Sequence, residues 1–159
     1  MPTPFKKESV WDYPRPPKLE AISRRVQVRF AGEWIADSQR AFRVLETSHP
    51  PVYYIPSEDV RTDFLVREQR GSYCEFKGAA SYWSLQVNGR RSENAAWSYL
   101  APNATFASLR GCFAFYASRV EDCFVDGERV TPQAGDFYGG WITSDIAGPF
   151  KGEPGTRSW

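Results

Sequence analysis

The sequence predicts a mainly β protein, one compact domain with a single short helix and an extended N-terminal arm. Two observations carry that prediction. Apolar and polar residues alternate with period two in several short runs, the signature of strands with one face buried. Asn88-Gly89 and Asp126-Gly127 each stand between such runs, where a two-residue turn with positive φ joins two strands. The length of 159 residues suits one domain, and a chain of that size buries roughly 70% of its unfolded surface without disulfides or metals to staple it.

Residues 1–22 form the arm: Pro2, Pro4, Pro14, Pro16 and Pro17 fall in a stretch with no periodicity, and Trp11 and Tyr13 are its expected anchors on the body. The β body spans 23–138. Val26, Val28 and Phe30 lie on one face of a first strand with Gln27 and Arg29 on the other, and AGEWIADS turns the chain into a second strand. Ala41–Glu46 suits a strand or one helical turn, the Pro50-Pro51 pair ends either, and VYYI resumes extended structure. The helix is expected over Val60–Arg70, with Ser57 as cap, Glu58 and Asp59 in the first turn and Gly71 as stop. From Tyr73 onward strands dominate: YCEF, AASYWSLQV, AAWSYLA, CFAFYA and CFV-DG-ERVTP. The tail, 139–159, is rich in Gly and Pro, but Trp141 and Trp159 are costly to leave in water, so it is expected to wrap the body.

A net charge of +1, with charged residues of both signs, gives no basic excess to attract nucleic acid or an anionic membrane. No apolar run approaches the ~18 residues of a membrane span, and no apolar secretory segment follows Lys6 and Lys7. Cys74, Cys112 and Cys123 are isolated and odd in number, a poor disulfide framework that fits a reducing, cytoplasmic setting. The chain is expected to be a monomer or homodimer, without a nucleic-acid or membrane partner.

Candidate site residues concentrate between Arg43 and Tyr99. Trp97 and Tyr99 share one face of their strand, and Tyr82 opposes Trp83 on another, so aromatics from neighbouring strands can form one wall. Buried tyrosines need partners for their hydroxyls, and Lys77, Glu46 or Arg43 are candidates to supply them. The expected ligand site is therefore Arg43, Glu46, Tyr54, Lys77, Tyr82, Trp97 and Tyr99, an aromatic cleft with polar anchors that suits a small molecule. The same aromatics equally suit a plain β core. Candidate catalytic residues are Glu46 and Lys77 for acid–base work and Cys74 as a nucleophile. His49, the sole histidine, precedes the Pro-Pro turn and reads as a solvent-facing loop residue or a turn hydrogen-bonder. Arg24, Arg25, Arg90 and Arg91 read as solvated charges at strand edges.

The strings W-x-Y-P-R-P-P, G-x-x-I-A-D-S, V-L-E-T-S-H-P-P-V-Y-Y-I-P-x-x-D-V, C-x-x-K-G-x-A-x-Y-W and W-S-Y followed by A-F-Y are carried between Trp11 and Ala117. Together they resemble the domain of unknown function 427, a family sometimes labelled a nucleotidyltransferase-type domain. The resemblance implies a compact all-β domain, β-tent-like or built on a curved sheet, similar to folds that hold a structural zinc through paired C-x-x-C motifs. This chain has no C-x-x-C, so neither zinc nor another cofactor is expected. The label itself finds little support in the residues: Asp37, Glu46, Asp59 and Glu75 lack D-x-D or D-x-E spacing, and a Gly-rich phosphate loop ending in G-K-[ST] is absent. Three functions follow as alternatives: a small-ligand-binding domain, an enzyme using Glu46 or Lys77, or an interaction module docking through aromatics of the arm and tail.

Overall fold

The computed structural model describes residues 7–74, 77–135, 138–152 and 156, with the backbone alone at 70 and 72–74. The strands, in chain order, are β1 (Glu8–Ser9), β2 (Lys18–Ala21), β3 (Val26–Phe30), β4 (Glu33–Ser38), β5 (Phe42–Leu45), β6 (Val52–Pro56), β7 (Leu65–Cys74), β8 (Gly78–Val87), β9 (Arg90–Tyr99), β10 (Cys112–Phe115) and β11 (Asp122–Val125). Four two-residue strands follow or close the fold: β12 (Glu128–Arg129), β13 (Thr131–Pro132), β14 (Trp141–Ile142) and β15 (Ile146–Ala147). Among the described residues the helical segments are short 3-10 turns. The domain is mainly β, as its alternation predicts.

Seven strands make the principal sheet in the order β2-β5-β6-β10-β9-β8-β7, and a four-stranded sheet runs β12-β11-β3-β4. Both sheets are open. Three hairpins close on residue pairs with positive φ: Ala31-Gly32 (51°, 78°), Asn88-Gly89 (50°, 77°) and Asp126-Gly127 (48°, 80°). Turns of this hand match the right-handed twist of the strands they join.

The core between the sheets takes Val26, Val28 and Ile35 from the smaller sheet and Tyr53, Ile55, Leu85, Phe113 and Phe115 from the larger. Trp141 of the tail enters this core. Its ring stacks on Tyr53 at 5.1 Å, and its Nε1 donates to the Phe115 carbonyl at 2.9 Å, which satisfies the one polar atom of a buried indole. The opposite face of the large sheet carries a second cluster, with Tyr54, Tyr82, Trp97, Tyr99 and Tyr116 packed against Phe106 and Leu109.

β7, β8 and β9 do not run straight. Register slips between Arg67 and Gly71 where β7 pairs with β8, and between Ser92 and Ala96 where β9 pairs with β8, so extra residues bulge from β7 and β9 on either side of β8. Bulges bend a sheet, and these curl its β7 end. Ser84, fully buried, ties the two irregularities together: its hydroxyl donates to Glu68 at 2.6 Å and accepts from the Asn94 backbone N–H at 3.0 Å. Arg91 reaches the same Glu68 oxygen at 2.6 Å.

The helix expected over Val60–Arg70 is not formed. Two 3-10 turns, Ser57–Asp59 and Thr62–Phe64, lead directly into β7. The run Arg67-Glu68-Gln69-Arg70 has no apolar residue to complete a helical face, whereas Leu65–Arg67 pair in register with Leu85–Trp83. Helix propensity is a weak preference that such a ladder overrides. Ala41–Glu46 resolves as strand β5.

The arm and tail hold each other. β1 pairs in parallel with β15, and Val10, Tyr13, Leu45 and Ile146 form a small third cluster. Of the expected anchors, Tyr13 is buried, while Trp11 stays half-exposed and donates its Nε1 to the Pro149 carbonyl at 2.9 Å. β2 belongs to the principal sheet as its edge strand. Trp159 lies outside the described residues.

Ser84→Ala should cost about 1–3 kcal/mol, because it leaves the Asn94 N–H and a Glu68 oxygen without their partner inside the bend. Urea denaturation measures this; a change within experimental error would mean that the bulges hold without the hydroxyl.

Candidate functional site

The aromatic wall is assembled by register. Tyr82 pairs with Trp97, Ala80 with Tyr99 and Trp97 with Ala114, so their side chains line up across β8, β9 and β10 on one face. Trp97 meets Tyr54 edge-on at 6.2 Å and Tyr116 at 4.6 Å, and its Nε1 donates to the Tyr54 hydroxyl at 3.3 Å. The hydroxyl thus finds its partner within the wall and not at Lys77, Glu46 or Arg43. Tyr54, Tyr82, Trp97 and Tyr99 are each no more than 7% exposed, so among the described residues they form a packed wall. The tail closes on its edge: a Cβ at Gly139 would stand 2.2 Å from Trp97 Cη2, so any side chain there would force the indole or the tail to shift.

Beside this edge lies a polar rim drawn from distant segments. His49 is not the solvent-facing loop residue its neighbours suggest, since its side chain is 17% exposed. Its ring lies 5.3 Å from that of Tyr138, and its Nδ1 is 3.3 Å from Gln133 Nε2. The Gln133 amide is oriented by two further bonds, its oxygen accepting from the Gly140 N–H and its nitrogen donating to the Lys151 carbonyl. An amide nitrogen can only donate, so His49 Nδ1 must accept, and the imidazole proton resides on Nε2. The neutral ring follows from geometry. Burial, as the dominant cause, and then the nearby charges of Arg15, Lys151 and Lys77 push the His49 pKa below its ordinary value, against the opposing pull of Glu46.

Nε2 faces Glu46, 4.0 Å away, and Glu46 in turn lies 3.6 Å from Arg15, which also donates to the Thr47 carbonyl. Lys77 sits in the turn before β8, its carbonyl accepting from the Asn103 N–H, and makes no ion pair with the described residues. Of the seven expected ligand residues, the structure gathers Tyr54, Tyr82, Trp97 and Tyr99 into the wall and sets Glu46 and Lys77 around His49. Arg43 is not with them. It pairs with Tyr53 across β5 and β6, on the face opposite Tyr54 and Val44, and is bound there by Glu8 and Glu20.

The Cys74 side chain lies outside the described residues, as does Glu75. Cys112 and Cys123 are buried and unpaired; burial raises both thiol pKa values, that of Cys112 to about 11, so neither is a nucleophile near neutral pH. Asp37 and Asp59, two of the carboxylates weighed for metal-dependent transfer, are each held by an arginine, Arg25 and Arg40 respectively. Among the described residues no group of three potential ligands could hold a metal ion, and no helix is long and apolar enough to cross a membrane. Arg24 is not a solvated edge charge: it bridges Asp126 and Asp145 with its side chain only 16% exposed. Arg15, Gln133, Tyr138, Gly139 and Lys151 were not marked by the sequence reading as members of the rim. The one available signal was the Gly139-Gly140 pair, which reads more readily as a wrapping loop.

A family model described as a domain of unknown function (DUF427) matches residues 18–126. No curated protein matches the chain. The matched span contains the wall, Glu46, His49 and Lys77, while Arg15, Gln133, Gly139 and Lys151 lie outside it.

Gly139→Ala should destabilise the fold by about 1–3 kcal/mol, as the added methyl forces Trp97 or the tail to move, and should alter the near-ultraviolet dichroism of the tryptophans. Unchanged stability and spectrum would show that the indole has room to swing.

His49 also dictates a pH dependence. The depressed pKa means that the unfolded chain takes up a proton first as pH falls, so the stabilisation is intact above the unfolded value, about 6.5, and drains away as pH drops toward the folded one. Melting temperatures measured from neutral to mildly acid pH should therefore fall more steeply for the native chain than for His49→Gln. Parallel curves would contradict the assignment.

Proposed function

The chain belongs to the DUF427 family, and from that premise we propose that it is a small-molecule-binding domain whose ligand docks on the His49 rim at the edge of the aromatic wall. One observation supports this most directly. Gln133 fixes His49 as a donor through Nε2, and Lys77, a cation without an ion pair among the described residues, lies close enough for its charge to act on the same ring. Donors and positive charge left over at a half-open rim suit a ligand bearing an acceptor group, such as a carboxylate or phosphate, whose remaining surface can lie along Tyr138 and the outer edge of Trp97.

The roles follow from position. Lys77 contributes charge, His49 direction and Glu46 the counter-charge that keeps Arg15 in place. The wall is a rigid backing, and its packed state argues for a ligand resting at the edge rather than threading between the rings. A cytoplasmic location belongs to the same reading, since the buried thiols of Cys112 and Cys123 are unpaired. So does the absence of a nucleic-acid partner, given a net charge of +1.

A thermal-shift screen of carboxylates, phosphate esters and neutral aromatics, run on the native chain and on Lys77→Ala, tests the reading. A ligand at about 100 times its dissociation constant raises stability by roughly 2.7 kcal/mol, well within detection. The expected result is an anionic hit that weakens in Lys77→Ala and in Gln133→Ala. A hit indifferent to both substitutions would place the ligand elsewhere, and no hit at all would count against a binding role.

A further inference from the structure

A second cleft opens where the arm meets β5, β6 and the tail, on the face of the large sheet opposite the aromatic wall. It encloses about 360 Å³, toward the lower end of the roughly 300–1,000 Å³ of small-molecule sites. Tyr53 and Arg43, 1% and 8% exposed, lie deepest, and Glu8, Glu20, Arg24 and Asp145 complete the polar lining.

The donors and acceptors of this lining do not balance. Arg43 donates through Nε to Glu20 at 2.8 Å and through a terminal nitrogen to Glu8 at 2.9 Å, and its guanidinium also stands in hydrogen-bond reach of the Tyr53 hydroxyl. Arg24 is divided between Asp126 and Asp145, at 3.0 and 2.9 Å. Both cations are thus neutralised twice over by their own neighbours. On the acceptor side, the second oxygen of Glu8 takes the Tyr13 hydroxyl at 2.6 Å, and Asp145 takes the Thr143 hydroxyl. Oε2 of Glu20 receives no hydrogen bond from the described residues. Three lining carboxylates stand against two guanidiniums, and the unused capacity is an acceptor on the side that carries the excess charge.

We propose that this cleft binds a small primary ammonium ion, with Glu20 Oε2 as its principal acceptor and the Tyr53 hydroxyl oxygen as a second. An anion finds no vacant guanidinium edge here, and a neutral apolar molecule would strip water from the lining carboxylates without replacing its bonds. A cation lacking N–H groups would satisfy the charge but leave the Glu20 lone pair unmatched. The cleft therefore discriminates by donor as well as by charge. It is separate from the His49 rim, which lies on the other face and offers donors.

The test is a heteronuclear NMR titration of the full chain with n-propylammonium chloride, using tetramethylammonium chloride as the cation without donors. Saturable shifts are expected at the amides of residues 20–24, with tetramethylammonium roughly tenfold weaker or more, the value of one charge-assisted hydrogen bond. Glu20→Gln should weaken propylammonium by a similar factor. Ala21→Trp, at an exposed position on the cleft mouth, alters no charge and should abolish binding by occupying the space. Lys77→Ala should leave it untouched, which separates this site from the rim. Equal binding of the two cations, survival of binding in Ala21→Trp, or no saturable shift at residues 20–24 would each overturn the proposal.

Discussion

The central sheet has no face that it can show to water. β10 buries all four of its residues, β9 buries Ala95 through Tyr99 without a break, and Tyr53, Tyr54 and Ile55 follow one another on β6, each no more than 1% exposed. Consecutive buried residues on a strand point to alternate faces, so both faces must be covered. The four-stranded sheet covers one. The other is left to short pieces: the 3-10 turn carrying Phe106 and Leu109, and the tail at Gly139. Nearly every irregular feature of the fold answers that demand, from the bulges in β7 and β9 to the Trp141 indole inserted beside Tyr53.

Covering a sheet with irregular segments brings polar backbone and charged side chains to the edge of an apolar core, and the molecule handles this with hydrogen bonds of fixed direction. Gln133 is the clearest case, one amide joining the Gly140 backbone, the Lys151 carbonyl and His49. Arg43 does comparable work on the other face between Glu8 and Glu20, where burial opposes ionisation of Glu8 but the bonds from Arg43 and Tyr13 outweigh it and hold its pKa low. Pairs on the outer surface, such as Arg61–Asp63 and Arg25–Asp37, are solvated and contribute little stability of their own.

What could be read from the sequence was local. Alternation in VQVRF, the Asn-Gly and Asp-Gly turns and the aromatic runs after Gly78 each report on neighbours in the chain, and each has its counterpart in β3, the two later hairpins and the wall. The failures share a cause. Val60–Arg70 looks helical until β8 is there to pair with it. Arg24 looks like a surface charge until Asp126 and Asp145 arrive from far along the chain, and His49 looks exposed until Gln133 and Tyr138 fold over it. Arg43 and Tyr54 stand close to the same aromatic run in sequence, yet the period of two puts them on opposite faces. No pattern around Gln133 distinguishes it from any glutamine after a proline, because its importance lies in three partners that only the fold supplies.

The parallel pairing of β1 with β15 carries a consequence for synthesis on the ribosome. Ile146 is translated long after Glu8, so β1 waits for its partner until the strands between them have been made. Domains generally acquire structure from the N-terminal side as they emerge, but here the Trp97 edge of the aromatic face stays uncovered until Gly139 is free of the exit tunnel. During that interval the nascent chain presents the kind of apolar surface that chaperones recognise.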